Sequence, residues 1–192
     1  MRPVQLSVNC LVQCGNEYLF LRRNNDKEVD PGVVNVLGGK VDPGENYALA
    51  ALRETREETG DTAGTYITTK MEYIGTIIFR GGYSKDWIAQ FYKFVVATKE
   101  VPGGLITSEG ELFWEHKDNF KNIKNIIWDL PLCWDAIIDD TVTFQMIAQL
   151  DDEFNLIRSS KTIVHEHGHL VKTEEFATGS DGIISLVNTI TY

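Results

Sequence analysis

GGKVDPGENYALAALRETREETG, residues 38–60, decides how the rest of this chain is read. Its first part, Gly38 to Glu45, carries two adjacent glycines and then Asp42-Pro43-Gly44, which is turn chemistry with bare backbone available to a ligand. From Asn46 to Thr59 there is neither Gly nor Pro, Ala and Glu predominate, and Gly60 stands where a helix C-cap belongs. The spacing predicts a helix with Ala48, Ala51, Leu52, Thr55 and Thr59 on the stripe facing the core. Glu54, Glu57 and Glu58 fall on a separate stripe, at i, i+3 and i+4. Like charges so placed repel, each pair costing a few tenths of a kcal/mol, unless a cation occupies the face. With no His or Cys nearby the donors are all oxygen, which points to a hard cation, Mg²⁺ or Mn²⁺, and through it to a phosphate substrate. An ordinary solvated acidic face is the alternative that the carboxylates alone leave open.

The full spacing resembles the signature of the Nudix hydrolases. Gly39, Glu45, Arg53, Glu54, Glu57, Glu58 and Gly60 take its glycine and charged positions, while Thr55 and Asp61 are polar where the family prefers aliphatic residues. The resemblance implies an α/β fold, a Nudix-type α/β/α sandwich with a mixed sheet between helices, over about residues 4–150. It also implies that Glu57 and Glu58 are metal ligands with the Gly39 carbonyl, that Glu54 is a ligand or the general base, that Arg53 orients these carboxylates, and that Glu45 holds the loop to the helix. Glu109 resembles an acidic loop residue that some members direct at the metals; an ordinary surface role is the alternative. Arg22, Arg23 and Lys40 are candidates for phosphate contact or for simple solvation.

Within the family, the run from Asn35 to Val41 resembles the segment preceding the box in oxidised-purine nucleoside triphosphatases, where an Asn reads the base. Phe79 and Trp128-Asp129 sit where those enzymes place base-stacking and base-bonding groups, although Val34 stands where they carry Trp. Phe79 and Trp128 read equally as core aromatics. The activity implied is Mg²⁺-dependent hydrolysis of a nucleoside triphosphate, such as 8-oxo-dGTP, to the monophosphate and pyrophosphate. Other nucleoside diphosphate derivatives (ADP-ribose, a nucleotide sugar, a dinucleoside polyphosphate) are the alternative substrates, and a non-catalytic nucleotide-binding module is the alternative class.

The 192 residues, 43% hydrophobic and 24% charged, have ordinary globular composition, and a net charge of −10 argues against polymeric nucleic acid as a partner. Cys10, Cys14 and Cys133 form no CxxC motif and suggest reduced thiols in the cytoplasm. No apolar run is long enough to span a bilayer, so no membrane partner is expected.

Val4, Leu6, Val8, Cys10 and Val12 alternate with polar residues and predict a strand, with Tyr18 to Leu21 as its return. Asn24 to Gly32 reads as a surface loop bordering the site. Met71 to Phe79, Trp87 to Ala97 and Glu111 to Trp114 read as strands, and Pro131 to about Leu150 as a helix. Residues 1–150 are expected to form the hydrolase domain, with 151–192 a β-rich extension packed on it or serving a homodimer contact. Short strands are expected there at Phe154 to Ile157, Thr162 to His165 and Ile183 to Val187, with His165, His167 and His169 in a solvent-facing hairpin.

Overall fold

The computed structural model describes residues 2–27, 30–82, 84–165 and 167–192, so Glu28 and Val29 of the expected loop lie outside the described residues. In chain order the elements are β1 (Val4–Cys14), β2 (Glu17–Arg23), β3 (Val34–Asn35), β4 (Leu37–Lys40), α1 (Tyr47–Thr59), β5 (Met71–Arg80), β6 (Asp86–Val95) and β7 (Gly110–His116). A 3-10 turn (Lys117–Asn122), α2 (Asp129–Ile137), β8 (Val142–Leu150), β9 (Leu156–His165), β10 (Leu170–Thr178) and β11 (Ile184–Thr191) follow.

The described strands form one eleven-stranded mixed sheet, ordered β11-β10-β9-β8-β5-β6-β1-β2-β3, with β4 paired to β1 and β7 to β2. β1 runs parallel to β6, β5 runs parallel to β8, and the remaining pairings are antiparallel. Both faces of β1 are covered. Val8, Cys10 and Val12 pack with Ala50 and Ala51 of α1, whereas Leu11 points the other way, into a core shared with Leu130, Trp134 and Ile137 of α2. A strand alternates its side chains between faces, so this division places α1 and α2 on opposite sides of the sheet. That is the expected α/β sandwich. Burial of Phe20, Phe91, Phe94 and Phe144 between the layers stabilises it by about 1.5–3 kcal/mol per side chain.

Two expectations are corrected. The helix expected from Pro131 to Leu150 starts at Asp129, ends at Ile137 and gives way to β8. Asp139 turns the chain by accepting from Thr141 N at 3.0 Å and Thr141 Oγ1 at 2.6 Å. Beyond that turn Phe144, Met146, Ala148 and Leu150 are buried while Ile147 is 55% exposed, a period of two rather than 3.6. In the tail, the first two short strands fuse into β9 with Phe154 outside it, and β10, whose charged run Lys172, Glu174, Glu175 hides its alternation, was not expected. The three histidines lie at the hairpin turn that joins β9 to β10. His165 ends β9, and its N–H donates to the His169 carbonyl at 2.8 Å across a turn whose Gly168 has φ +80°.

Candidate active site

Helix α1 begins where Asn46 Oδ1 accepts the N–H of Leu49 at 2.9 Å, and it ends at Gly60 in the left-handed conformation, φ +66°. The two polar departures from the family pattern are both satisfied. Thr55 is fully buried and its hydroxyl donates to the Ala51 carbonyl at 2.6 Å, leaving the methyl for the core. Asp61 is buried and accepts from the backbone N–H groups of Thr65, Tyr66 and Ile67 at 3.1, 3.1 and 2.7 Å. Burial alone would raise its pKa; the three donors outweigh that and hold the carboxyl below the usual aspartate range.

The adjacent glycines let β4 lie between β1 and α1. At Gly38, φ +135°, a Cβ would meet the Val8 carbonyl oxygen at 2.1 Å, and the Gly38 N–H donates to Glu58 Oε2 at 2.8 Å. At Gly39 a Cβ would stand 2.6 Å from the Glu54 carboxyl carbon. The peptide therefore passes directly over the helix carboxylates.

Arg53 ties loop and helix together. It forks onto Glu45 (Nε to Oε1 3.1 Å, Nη2 to Oε2 2.9 Å), reaches Glu54 at 2.8 Å and Glu57 at 3.3 Å, and donates to the Lys40 carbonyl at 3.1 Å. The bond to Arg53 holds the Glu45 carboxyl below its ordinary pKa. Glu54 lies above its own, because its burial and the nearby charges of Glu57 and Asp42 outweigh the help from Arg53.

Glu54, Glu57, Glu58 and Glu109 all open on one cavity of about 370 Å³, together with Arg23, Gly38, Thr107 and Ser108. Glu109 comes from the segment before β7 and is held by Lys27 at 3.0 Å and Arg23 at 3.9 Å. Burial pushes the Glu58 carboxyl up to about 8, despite the Gly38 N–H bond. Among the described residues no three His, Cys, Asp or Glu side chains already converge at metal-ligand geometry. Arg53 is the present counter-ion of Glu54 and Glu57. The donor set nonetheless suits a hard divalent cation: four carboxylates around one cavity, one of them strongly desolvated, beside a peptide that no Cβ shields.

A second cavity, about 280 Å³, shares Arg23, Gly38 and Glu58 with the first. Asn35, Lys40, Phe79 and Asp129, all singled out from sequence, line it with Trp87 and Phe154. Asn35 Oδ1 accepts the Val36 N–H at 2.8 Å. Phe79 is largely buried, with Trp128 edge-on at 5.9 Å and Phe154 stacked at 5.9 Å. Trp128 is partly buried against the core, edge-on to Phe79, and is not among the residues lining the cavity. Asp129, at the start of α2, is 2% exposed, and burial pushes its carboxyl up to about 7. Asp129 Oδ1 and Trp87 Nε1 are two of the three buried side-chain polar atoms without a partner among the described residues, and both residues line this cavity.

Sequence reading missed Lys27, Thr107, Ser108, Trp87 and Phe154. A Trp in an apolar strand gives no sign that its N–H lacks a partner, and the pairing of Lys27 with Glu109 spans 82 residues with no motif to announce it.

The family model for the NUDIX domain matches residues 3–127. The chain is 41% identical over 58 residues to nucleoside triphosphatase NudI of Escherichia fergusonii; that stretch is 30% of this chain and 41% of the relative, so the chain spans well under half the relative's length. Among solved structures, the MutT protein of Bacillus halodurans superposes with a TM-score of 0.66 at 20% identity, covering 81% of this chain and 95% of that one. The MutT protein of Methanosarcina mazei gives a TM-score of 0.57 at 23% identity, covering 70% and 92%. At these identities the likeness concerns the fold, which agrees with the sandwich described above. With the family model covering most of the chain and the Gly39 to Gly60 signature residues assembled between β4 and α1, the chain belongs to the Nudix family.

Proposed function

We propose that the protein is a Mg²⁺-dependent nucleoside triphosphate pyrophosphohydrolase, with Mn²⁺ as an alternative ion and 8-oxo-dGTP as the first substrate to test. The observation that carries this reading is the adjacency of two unlike cavities that share Arg23, Gly38 and Glu58. One is lined by carboxylates, for a metal-bound polyphosphate; the other has aromatic walls and two orphaned polar atoms, for a base. The NudI relative, a nucleoside triphosphatase by name, supports the same class.

In this reading Glu57, Glu58 and the Gly39 carbonyl hold the ion, with Glu54 and Glu109 completing the acidic wall. When bound, the ion neutralises nonbridging phosphate oxygens and lowers the pKa of attacking water. Arg53 keeps Glu54 and Glu57 directed at the cavity, and Glu45 anchors Arg53. Glu54, whose pKa is already raised, is a ligand or takes the water's proton. The water oxygen bonds to phosphorus as the phosphoanhydride P–O bond breaks, and pyrophosphate departs. Arg23 and Lys40 bind the phosphates. Asn35 and Asp129 read the base edge, Phe79 stacks on the base, and Trp128 acts through its edge contact with Phe79 by fixing that ring.

We propose that residues 151–192 pack on the hydrolase domain as one folding unit, a reading supported by β9–β11 continuing its sheet. The three cysteines form no disulfide, which fits the reducing cytoplasm. β11 is an uncharged strand at the sheet edge, which supports it as the proposed place for pairing with a second copy. No described helix is long and apolar enough to cross a membrane.

The test is a hydrolysis screen with Mg²⁺ over canonical and oxidised nucleoside triphosphates, ADP-ribose, nucleotide sugars and dinucleoside polyphosphates. Preferential conversion of a triphosphate to monophosphate and pyrophosphate supports the reading. Turnover of the diphosphate derivatives alone would replace the substrate class, and ligand binding without turnover would replace the enzyme with a binding module.

A further inference from the structure

We propose that Phe154, carried on the turn between β8 and β9, is a specificity-determining residue whose ring forms a wall of the base pocket. It lies beyond residue 127, where the family match ends, so the tail of this chain completes the substrate site rather than merely widening the sheet. The inference rests on the nucleotide reading above.

Three independent observations support it. The half-buried Phe154 ring lines the same cavity as Asn35, Trp87 and Asp129, and it is stacked on Phe79 with centroids 5.9 Å apart and planes 29° apart. Phe79 and Phe154 together give the cavity an aromatic lining, suited to a flat heterocycle.

The turn itself is built to hold one conformation. Asp151 Oδ1 accepts the N–H groups of Glu153 at 3.0 Å and Asn155 at 2.8 Å, Asp151 Oδ2 accepts Asn155 Nδ2 at 3.1 Å, and the Phe154 N–H donates to the Asp151 carbonyl at 3.2 Å. Phe154 sits at φ +70°, a left-handed conformation unfavourable for an aromatic residue, so the ring is delivered at a backbone cost that a solvent-facing turn with Gly or Asn would avoid.

Room for the ring is also prepared. In the β5–β6 connection, Gly82 lies so close that a Cβ there would stand 2.5 Å from Phe154 Cδ2, and neighbouring Gly81 would meet the Leu150 carbonyl oxygen at 2.5 Å. Two consecutive glycines thus make room for the turn and its ring.

The experiment compares wild type with Phe154→Leu and Phe154→Tyr, using kcat and KM for the preferred nucleoside triphosphate, kcat/KM for inorganic tripolyphosphate, equilibrium binding of the matching nucleoside monophosphate, and thermal unfolding. Leu keeps an apolar side chain but removes the ring face; Tyr restores it. We expect Phe154→Leu to raise KM and weaken monophosphate binding roughly 5- to 100-fold, the range of one base–aromatic stack. Turnover at saturation and tripolyphosphate cleavage change less than about twofold, and Tyr recovers most of the loss. A proportional loss on nucleotide and tripolyphosphate alike, or unchanged KM and binding, overturns the assignment of Phe154 while leaving the hydrolase standing. Should wild type bind the monophosphate in a Phe154-dependent way yet hydrolyse nothing, the hydrolase reading falls and the pocket wall stands. No nucleotide binding or hydrolysis by wild type removes both.

Discussion

Replacement of Asp129 by Asn separates stability from substrate recognition. The Asp129 carboxyl is 2% exposed and its Oδ1 has no partner among the described residues. Burial, offset in part by the N–H groups of Asp129 and Leu130, pushes its pKa to about 7, whereas an aspartate in an unfolded chain titrates near ~3.9. At about 1.4 kcal/mol per pH unit, a gap of roughly three units corresponds to about 4 kcal/mol. Between these two values the folded protein keeps a proton that the unfolded chain has released. The contribution to stability is therefore complete below about pH 4, declines as pH rises, and is lost once pH passes about 7. Asp129→Asn has nearly the same volume and no proton to lose, so its stability relative to wild type should climb between pH 5 and 8 by about 1–3 kcal/mol, because only about two of the three units fall in that window. Urea denaturation at several pH values reads this as a growing difference in midpoint at constant m-value. In the same variant, kcat/KM for the preferred nucleotide should fall by about 1–3 kcal/mol of transition-state binding, the scale of losing a charged hydrogen-bonding partner. A stability difference that does not change with pH, or an Asn variant less stable than wild type at pH 8, would refute the picture of an unpaired buried carboxyl held for a ligand.

Glu57→Gln removes a proposed metal ligand from a side chain that is 62% exposed, so kcat should drop about 10³-fold or more while the thermal midpoint stays within a degree or two of wild type; near-normal turnover at saturating Mg²⁺ would sink the ligand assignment. Asn35→Ala should cost about 1–3 kcal/mol of selectivity between 8-oxo-dGTP and dGTP in competition assays. Because Asn35 Oδ1 already accepts the Val36 N–H, an equal loss on both nucleotides would mark Asn35 as a loop residue instead. Asp61→Leu strands three backbone donors and should lower stability by about 2–4 kcal/mol, or roughly 4–16 °C in Tm. Since the folded pKa of Asp61 lies below the ordinary value, wild type should lose this advantage as pH falls below about 4, narrowing the gap to the variant in acid; a gap that widens there would contradict it.

The parts of the fold that were legible in the sequence are those whose pattern is local. The helix Tyr47–Thr59 could be read because its cap residues, its Ala stripe and its carboxylate stripe lie within four turns of one element. β8 could not. Leu132, Ile137, Ile138, Val142 and Ile147 fit a helical spacing by coincidence, and only the turn at Asp139–Thr141 shows that the pattern changes period midway. β10 was missed for a related reason. Glu174 looks like a surface charge in the sequence, yet it is paired with Lys172 and with buried Lys161, which also donates to the Leu132 carbonyl of α2. The tail is thereby fastened to the helix that carries Asp129.

The site divides along the same line, and polar residues show why. Thr55 and Asp61 break the family's aliphatic preference, so from sequence they look like defects; in the structure every one of their buried polar atoms has a partner, and both belong to the machinery of folding. Trp87 looks unexceptional in sequence and Asp129 stands out there only through the family resemblance, yet each keeps a buried polar atom without a partner among the described residues on the wall of one cavity. Leaving such a group unpaired costs about 1–3 kcal/mol, which folding alone gives no reason to tolerate. What separates a polar residue that folds the chain from one held for a ligand is the partner supplied by a distant element, and no spacing along the chain records that. The carboxylates of α1 are the exception, because a metal face on a single helix has to be written into consecutive turns.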